Sequence, residues 1–433
     1  METSTDAVVT SVPAEAPVGR WLRWGGILGR FATVQLLVQA VNALTGLLFV
    51  RLLNKHDYAL FTIASSMQAM LNLLTDCGIN AGLLSIGGKV WTSPDDLGRL
   101  VRTALHLRRQ MSIGALLIVS PISLWLLLGN GASVLEATAL TAVVVGAVHF
   151  VTAAAVFGVV TKLHSRYSEI QRVELTGAFS RLGLALSAAA VFLNALAATA
   201  AASVSQVVQC FLVRRQSLRW IRLEHSDDPI FRGQLLAMVK SQAFYFAFYA
   251  IQGQITVVLI SLFGTTGQVA DLGALSRLGI ISAVFGGVLN HVITPAFARI
   301  QDRGRLWRAA LNVLMLCALG GTGFVVLSWV FADPILWVFG SNYRHLNAEV
   351  PLMMTAVMLG VLQAAIWSLA TARGWLSLTW AIPTLTILTQ TAMCFLINLE
   401  SISGIIWFGI SSTLVAILVG LVMVAVGYNR IER

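Results

Sequence analysis

Residues 52–66 read LLNKHDYALFTIASS and residues 262–277 read LFGTTGQVADLGALSR, and the two stretches follow one pattern. Each has a short polar turn, then a small residue, a bulky apolar pair and a serine at the start of a long apolar helix. This pattern indicates an internal repeat. We therefore expect a fold of two similar halves, each with one helix before the turn and one after it.

The composition defines the surroundings of these helices. Of the 433 residues, 57% are hydrophobic and only 11% are charged, and the mean hydropathy is +0.80. The surface of a soluble domain needs more charge than that. Apolar runs of about 20 residues are long enough to cross a bilayer core of about 30 Å. The sequence therefore predicts an all-α polytopic membrane protein.

Polar breaks in the hydropathy predict about twelve transmembrane helices. They lie near 30–51, 58–86, 111–129, 135–161, 174–193, 195–213, 236–263, 269–298, 309–332, 349–371, 375–398 and 403–427. The two copies of the repeat are six spans apart, so both halves have the same orientation. We expect two six-helix lobes related by a pseudo-two-fold axis along the membrane normal, a plan in which transporters place the substrate path between the halves.

The predicted lobes divide the chain into four parts. Residues 1–19 are expected to form a disordered cytoplasmic tail, because they are polar and lack the basic-then-apolar order of a signal peptide. Residues 20–213 form the N-lobe, 214–235 a basic cytoplasmic linker, and 236–433 the C-lobe.

The basic residues predict the orientation in the membrane. If the N-terminus is cytoplasmic, the cytoplasmic segments hold 24 of the 29 lysines and arginines, and only Arg51, Lys55 and Arg344 lie outside. This asymmetry fits the positive-inside rule and places both termini in the cytoplasm. It also accounts for the net charge of +10 without a nucleic-acid partner, and makes membrane lipids the expected neighbours of the basic segments.

Two cytoplasmic segments are expected to lie on the inner leaflet. In SPDDLGRLVRTALHLRRQ (93–110), Ser93 can cap a helix and Pro94 can begin it, and apolar residues share the face opposite the arginines. The segment RRQSLRWIRLEH (214–225) is basic with an apolar centre. Both patterns are typical of helices lying in the membrane interface.

Four of the predicted spans carry polar side chains at helical spacing, and they are the pairs that the repeat relates. The residues are Gln35, Gln39 and Asn42 in the first span, Gln68, Asn72, Asp76 and Asn80 in the second, Gln242, Tyr245, Tyr249 and Gln252 in the seventh, and Arg277 and His291 in the eighth. We expect them to line a hydrated substrate cavity between the lobes, because polar side chains in hydrocarbon need partners. The alternative is hydrogen bonding between neighbouring helices.

Two arginines lie inside predicted spans. Arg277 is about eight residues into its span, roughly 12 Å deep, where an arginine costs about 2.5–3.5 kcal/mol on insertion scales. Either it faces the cavity or it extends to the membrane surface. Arg181, in the fifth span, has the same alternatives. A cavity with more cationic than anionic side chains favours an anionic cargo.

Three stretches resemble a known family. The block RLLNKHDYALFTIASSMQAMLNLLTDCGINAGLL (51–84) is similar to the second-helix signature of the polysaccharide transporter family, and VFGSNYRHLNAEVPLM (338–353) resembles its glycine-x-x-tyrosine turn before the tenth helix. GALSR (273–277) resembles the start of its eighth helix. The family belongs to the superfamily that also contains multidrug antiporters and lipid II flippases.

The resemblance implies a function and some roles. A member would flip undecaprenyl-diphosphate-linked oligosaccharide repeat units across the bacterial inner membrane, for exopolysaccharide, capsule or O-antigen synthesis. Arg277 matches a cationic cavity position, and Arg51 and Tyr58 match the structural turn. Relatives often carry an acidic residue midway along the seventh span, where this chain has Gln252 and Gln254. The coupling ion, H⁺ or Na⁺, therefore stays open.

We weighed three functions on the sequence. A flippase needs no cofactor or metal, and its candidate partners are a polysaccharide polymerase and glycosyltransferases. A small-cation antiporter of the same fold needs an acidic cavity, for which Asp76 and Asp271 are the candidates. An enzyme of glycan assembly needs an outer site with acids or bases, and the longest outer loop offers only Asp333, Arg344 and His345, without a carboxylate pair or a nucleophile beside a base. We therefore expect a transporter and not an enzyme.

Overall fold

The computed structural model is a bundle of helices, and it describes residues 17–164, 166–223, 228–289, 293–294, 297, 300, 302–375 and 378–429. Within these residues the regular structure is helical throughout. The helices of the first half are α1 (Pro17–Leu52), α2 (Lys55–Asp76), α3 (Ile79–Val90), α4 (Pro94–Gly129), α5 (Val134–Leu163), α6 (Tyr167–Val191) and α7 (Ala195–Ser217). Of the predicted N-terminal tail, residues 1–16 lie outside the described residues, and α1 begins at Pro17.

The second half repeats this layout with more breaks. Its helices are α8 (Pro229–Gln252), α9 (Ile255–Phe263), α10 (Thr266–Leu275), α11 (Ile280–Val288), α12 (Arg303–Val330), α13 (Ala332–Phe339), α14 (Glu349–Arg373), α15 (Ala381–Leu396) and α16 (Ile402–Asn429). Two 3-10 segments, Ser276–Gly279 and Ser341–Leu346, complete it. A helix lies at every predicted span.

The chain is a multi-pass membrane protein. Among the described residues, eight helices are long and apolar enough to span a membrane, and two bent pairs raise that number to ten. The pairs are α2 with α3, bent by 41°, and α8 with α9, bent by 45°. Helix α6 is not among the ten, and neither is α15, which is apolar but has only 16 residues. The all-α fold is confirmed, and the count of twelve spans stays a prediction.

The polar turns before α2 and α10 carry the same kind of helix cap. Asn54 accepts a hydrogen bond from the backbone amide of Asp57 and donates one to its carboxylate. Thr265 accepts from the amide of Gln268, whose side chain accepts from the amide of Thr265 in a capping box. Asn54 and Thr265 are 211 positions apart. The repeat seen in the sequence is thus a repeated helix start.

The two repeated helices cross each other at equivalent positions. Gly273 of α10 lies against Thr62 of α2, again 211 positions apart, and a Cβ at Gly273 would overlap the Thr62 hydroxyl and approach the Tyr58 ring to 3.1 Å. A crossing at equivalent residues is what a two-fold relation between the lobes requires. It also explains why glycine is needed on one of the two helices.

The N-terminal end of α2 is part of a core that joins the lobes. Phe49 and Tyr58 are fully buried, and they belong to one hydrophobic cluster that continues into α10, α14 and α16. By contrast, α8 follows the linker in sequence but packs on α2, α3 and α4. Leu235 and Val239 of α8 are buried in the N-lobe cluster. The first half of α8 is therefore held by the N-lobe.

The break between α2 and α3 is defined by two left-handed residues. Cys77 has φ 39° and Gly78 has φ 84°, and the Cys77 amide donates to Leu73 O to end α2. The left-handed region suits glycine and is unfavourable for cysteine. The span therefore bends at a fixed point near Asp76.

The expectation that residues 93–110 lie on the inner leaflet is wrong. Ser93 caps and Pro94 begins the helix as predicted, but the helix continues without a break as α4. Its apolar face, with Leu97, Leu100 and Val101 fully buried, packs on α3, α5 and α8. An amphipathic pattern shows that one face is covered, and here protein covers it.

The second interfacial segment also differs from the expectation. Residues 214–217 complete α7, and the chain then turns, so that the Arg222 amide donates to Pro94 O. Trp220 packs on the His164 ring at 4.6 Å and under the Arg166 guanidinium at 5.2 Å. Residues 224–225 lie outside the described residues. The described part of this segment is held by protein contacts instead of forming a separate membrane-surface helix.

The crossing at Gly273 generates a stability prediction. In Gly273→Ala the new methyl group meets Thr62 and Tyr58, and overpacking of this kind costs about 1–3 kcal/mol. We expect a lower melting temperature of the purified protein in detergent. Thr62→Ala in the same chain should recover part of the loss. Gly279→Ala is the matched control, because no atom lies within 4 Å of its added Cβ. Equal melting temperatures for the 273 and 279 variants would contradict the crossing.

Candidate functional site

Arg277 lies in the 3-10 segment that interrupts the eighth predicted span, between α10 and α11. Its Nε donates to the Tyr58 hydroxyl at 3.0 Å, and its guanidinium carbon is 5.9 Å from the centroids of both the Tyr58 and Phe61 rings. Gly46 of α1 is so close that a Cβ there would be 3.1 Å from Arg277 Nη1. The side chain thus points across the lobe interface toward α1 and α2, and not to the membrane surface.

The hydrogen bond to Tyr58 and the contacts with the Tyr58 and Phe61 rings orient the Arg277 guanidinium. A guanidinium has five N–H donors, and the hydrogen bond to Tyr58 uses only the one at Nε. The aromatic faces offset part of the cost of holding the charge away from water. No other hydrogen bond of Arg277 is formed within the described part of the chain, so its terminal N–H groups are available there for a further partner.

Arg181 shares a cavity with Arg277. The cavity has a volume of about 370 Å³ and lies between α1, α6, the broken eighth span and α13. Asn42 and Ser276 are its other polar lining residues, and the remaining walls are aliphatic and aromatic: Ala43, Leu47, Leu278, Ile280, Ile281, Ile335, Val338 and Phe339. Among the described residues, the lining contains two arginines and no carboxylate. We call this space the arginine cavity.

The two arginines have few partners of their own. Arg181 Nε is buried and has no hydrogen-bond partner in the described part of the chain. Burying a charge is unfavourable unless an opposite charge or hydrogen bonds compensate it. Two guanidiniums lining one cavity also repel each other. The arrangement is therefore suited to bind an anion with several oxygen acceptors.

Asn42 is the member of the first-span stripe that lines this cavity. Gln35 and Gln39 are half-buried on the same helix and are outside its lining. His291 lies outside the described residues, and the side chain of Gln242 is likewise not described. Gln252 is half-buried at the end of α8, where the seventh span bends.

The polar stripe of the second span is used within the N-lobe. Gln68 donates to Gln206 of α7 at 2.8 Å, which is a hydrogen bond between helices. Asn72 Oδ1 and Asn80 Oδ1 are buried without a partner among the described residues. None of these residues lines the arginine cavity.

Asp76 has a charged partner that the sequence analysis placed in the cytoplasm. Arg108 Nη2 lies 2.7 Å from Asp76 Oδ1, and Arg108 Nη1 donates to Thr152 O. Arg108 is only 3% exposed. The count of cytoplasmic basic residues included Arg108 as an exposed charge, whereas its side chain is buried. The pair joins α2, α4 and α5.

Tyr245 and Tyr249 form an aromatic cluster in the C-lobe. Their ring centroids are 4.5 Å apart, and Tyr245 also stacks on Trp367 at 5.9 Å. They line a separate cavity of about 220 Å³ with Gln363 and small residues of α14 and α16. Of the predicted site residues that the structure describes, Asn42, Arg181 and Arg277 share the arginine cavity, Tyr245 and Tyr249 share this one, and the others line neither.

Sequence reasoning missed an ion-pair cluster at the end of the bundle that carries Asn54. Asp271 of α10 is 2% exposed; its Oδ1 lies 2.8 Å from Lys55 Nζ, and its Oδ2 lies 3.0 Å from His345 Nε2. Tyr343 packs edge-on against Tyr58 at 6.4 Å, and burial raises the pKa of its hydroxyl. We call this cluster the Lys55–Asp271 seam. Lys55 could have indicated this cluster, because it is one of only three basic residues that the sequence places outside the cytoplasm.

Solved structures match this fold, although no protein-family model and no curated protein matches the chain. A multidrug resistance MATE transporter of the MOP superfamily in an inward-facing conformation gives a TM-score of 0.68 at 13% identity, over 93% of this chain and 98% of its own. The lipid II flippase MurJ, in an inward closed conformation, gives 0.66 at 10% identity, over 91% and 87%. A eukaryotic MATE transporter gives 0.64 at 13% identity, over 94% and 99%.

The chain therefore shares the fold of these solved MATE and MurJ structures. This confirms the predicted all-α fold and is consistent with its two-lobe layout. Membership of the polysaccharide transporter family stays a prediction. The three neighbours are named transporters or a flippase, and none is named an enzyme.

The seam generates a conformational prediction. In Asp271→Asn the carboxylate that pairs with Lys55 and His345 is lost, so the lobes should separate at this end. We would place spin labels at Val134 and Trp329, which are 70% and 76% exposed, in a background without the native cysteines. The distance distribution between the labels should shift to longer values. Glu400→Gln, an exposed carboxylate at the same end, is the control. Identical distributions for the two variants would show that the seam does not hold the lobes.

Proposed function

We propose that the chain flips polyprenyl-diphosphate-linked oligosaccharide repeat units from the cytoplasmic to the outer face of a bacterial inner membrane, for exopolysaccharide, capsule or O-antigen synthesis. The observation that carries the proposal is the arginine cavity. Arg181 and Arg277 line one space between the lobes, and no carboxylate shares its lining.

A diphosphate suits this cavity for electrostatic reasons. It offers several acceptor oxygens to the terminal N–H groups of Arg277 and to Arg181, and contacts between guanidinium and phosphate are short, charge-assisted hydrogen bonds. Its negative charge also cancels the repulsion between the two arginines. Away from bulk water, each of these interactions is stronger than at an exposed surface.

The apolar walls of the cavity suit the lipid part of such a cargo. Leu47 of α1 and Ile281 of α11 lie on the two helices that meet at this interface. A prenyl chain could leave between these helices into the bilayer while the charged group stays at the arginines. Because lipid tails are as apolar as the prenyl chain, the prenyl chain can pass from the cavity into the bilayer at little cost in free energy.

The Lys55–Asp271 seam supports transport by alternating access. It holds the two lobes together at the Asn54 end, which the predicted orientation places outside the cytoplasm. Rocking of one lobe against the other, as in transporters built from repeats, would open this end of the bundle and close the opposite end. The likeness to an inward-facing transporter and to an inward closed flippase supports this cycle.

A second function has its own support. Most of the neighbours shown by the fold comparison are MATE transporters, which favours export of small molecules in exchange for H⁺ or Na⁺. The arginine cavity argues against a cationic substrate, because it holds only positive charge. Asp271, the acidic candidate of the eighth span, is already paired with Lys55 and His345.

Replacement of Arg277 tests the proposed function. In a strain without the chromosomal gene, Arg277→Ala should lower export of the glycan about 10- to 100-fold, since hydrogen bonds to charged groups contribute about 1.5–3 kcal/mol each. Arg277→Lys should keep partial activity because the charge remains. Lipid-linked intermediates would be extracted, and the membrane face on which they accumulate determined.

Each outcome of that experiment identifies a different function. Completed repeat units trapped on the cytoplasmic face support the flippase. Units that reach the outer face without being polymerised point to an enzyme, and an absence of accumulation points to a small-molecule antiporter. Arg215→Gln, an exposed arginine at the end of α7, is the control and should export normally.

A further inference from the structure

A second polar cavity lies inside the N-lobe, where the predicted site had only Asn80. It has a volume of about 500 Å³ and is enclosed by α3, α5, α6 and α7. Its polar lining residues are Asn80, Lys162, Glu174, Gln206 and Gln209, and the other walls are apolar. We call it the N-lobe cavity. All its lining residues come from one lobe.

Three polar groups of this cavity have no partner among the described residues. Asn80 Oδ1 is buried without one, and the partly exposed side chains of Glu174 and Gln209 make no hydrogen bond or ion pair there, whereas Lys162 is exposed. Buried polar groups in native proteins are nearly always hydrogen-bonded. A cavity with donors and acceptors left open in this way is therefore suited to bind a polar ligand.

The packing around Gln209 shows that this side chain has a defined place. Its Nε2 occupies the space next to Gly177 where a Cβ would otherwise lie. Any side chain at position 177 would force Gln209 to move. Glycine at this position of α6 thus lets the Gln209 amide lie between α6 and α7, at the wall of the cavity.

The charges of the two cavities select different chemistry. The arginine cavity carries two positive charges and no negative one. The N-lobe cavity carries one lysine and one glutamate beside three amides, so its formal charge is zero. The three amides can both donate hydrogen bonds to hydroxyl groups and accept them, the lysine donates, and the glutamate carboxylate accepts. A neutral ligand rich in hydroxyls, such as a sugar chain, matches this set.

Helix α6 connects the two cavities. Glu174 and Arg181 are seven residues apart, which puts them about 20° apart in projection and roughly 10.5 Å apart along the helix. One face of α6 therefore carries Glu174, which can accept hydrogen bonds from hydroxyl groups, and two turns away Arg181, which can bind a phosphate. The order along the helix corresponds to a cargo in which sugars follow a diphosphate.

We propose that the N-lobe cavity is the glycan subsite of the transporter. Glu174, Gln209 and Asn80 bind hydroxyl groups of the cargo's sugars, while Arg181 and Arg277 bind its diphosphate. This inference rests on the proposed function and adds a site to it. It assigns selection among glycans to the N-lobe and binding of the common lipid diphosphate to the arginine cavity.

Binding measurements test this assignment with two probes. The first is polyprenyl diphosphate carrying the saccharide, extracted from a strain without the gene, and the second is polyprenyl diphosphate of the same chain length without a saccharide. Affinities would be measured on the full chain in nanodiscs. Glu174→Gln, Gln209→Ala and Gly177→Ala should each weaken binding of the saccharide-bearing lipid about ten-fold and leave the bare lipid unchanged. Arg277→Ala should weaken both.

The controls separate this inference from the proposed function. Arg172→Gln changes an exposed charge on α6 two residues from Glu174 and should bind both probes as the wild type does. If the wild type binds both lipids and Glu174→Gln and Gln209→Ala bind the saccharide-bearing lipid normally, the glycan subsite is wrong and the flippase stands. If the wild type binds neither lipid, the proposed function fails, and the subsite fails with it.

Discussion

The hydrogen bond from Arg277 to Tyr58 is the interaction on which the arrangement of the two lobes depends. A guanidinium within a membrane bundle is costly unless its charge is compensated. Here Tyr58, the Phe61 ring and the space left by Gly46 position it between α1, α2 and α10. The 3-10 segment at Ser276–Gly279 gives the side chain this direction. The same interface therefore both joins the lobes and holds the positive charge that would bind the proposed anionic cargo.

The seam and the arginine are parts of one short element. Asp271 lies on α10 and Arg277 directly after it, and both reach partners three residues apart on α2, namely Lys55 and Tyr58. The close approach at Gly273 lies between them. A movement of α10 against α2 that breaks the ion pair must therefore also change the position of Arg277. Opening at one end of the bundle and the state of the binding cavity are mechanically coupled.

Hydropathy located the spans because the length of an apolar run is a direct requirement of the bilayer. What each face of a helix meets could not be read in the same way. Leu97 and Leu100 share a face that the pattern assigned to lipid, and α3, α5 and α8 cover it instead. Arg108 was counted as cytoplasmic because charge counting assumes exposure, whereas it pairs with Asp76 inside the N-lobe.

The candidate site was predicted in part, for a related reason. Helical spacing shows that residues share a face, and the arginine cavity does contain Asn42, Arg181 and Arg277. Spacing does not show which neighbour the face meets. Gln68, which was predicted to line the cavity, instead donates a hydrogen bond to Gln206 of its own lobe. Glu174 and Gln209 were missed because they lie on spans without a polar stripe. An isolated carboxylate in an apolar span was the signal that could have found Glu174.

The positions of the two cavities give them different parts in the proposed alternating-access cycle. The arginine cavity is built from both lobes, so rocking must change its shape and the side to which it opens. All walls of the N-lobe cavity belong to one lobe, so its geometry is kept while the lobe moves. A cargo held at both would have its sugars carried with the N-lobe, while its diphosphate stays at the interface around which the lobes turn. Recognition of the variable part of the cargo would then be independent of the step that moves it.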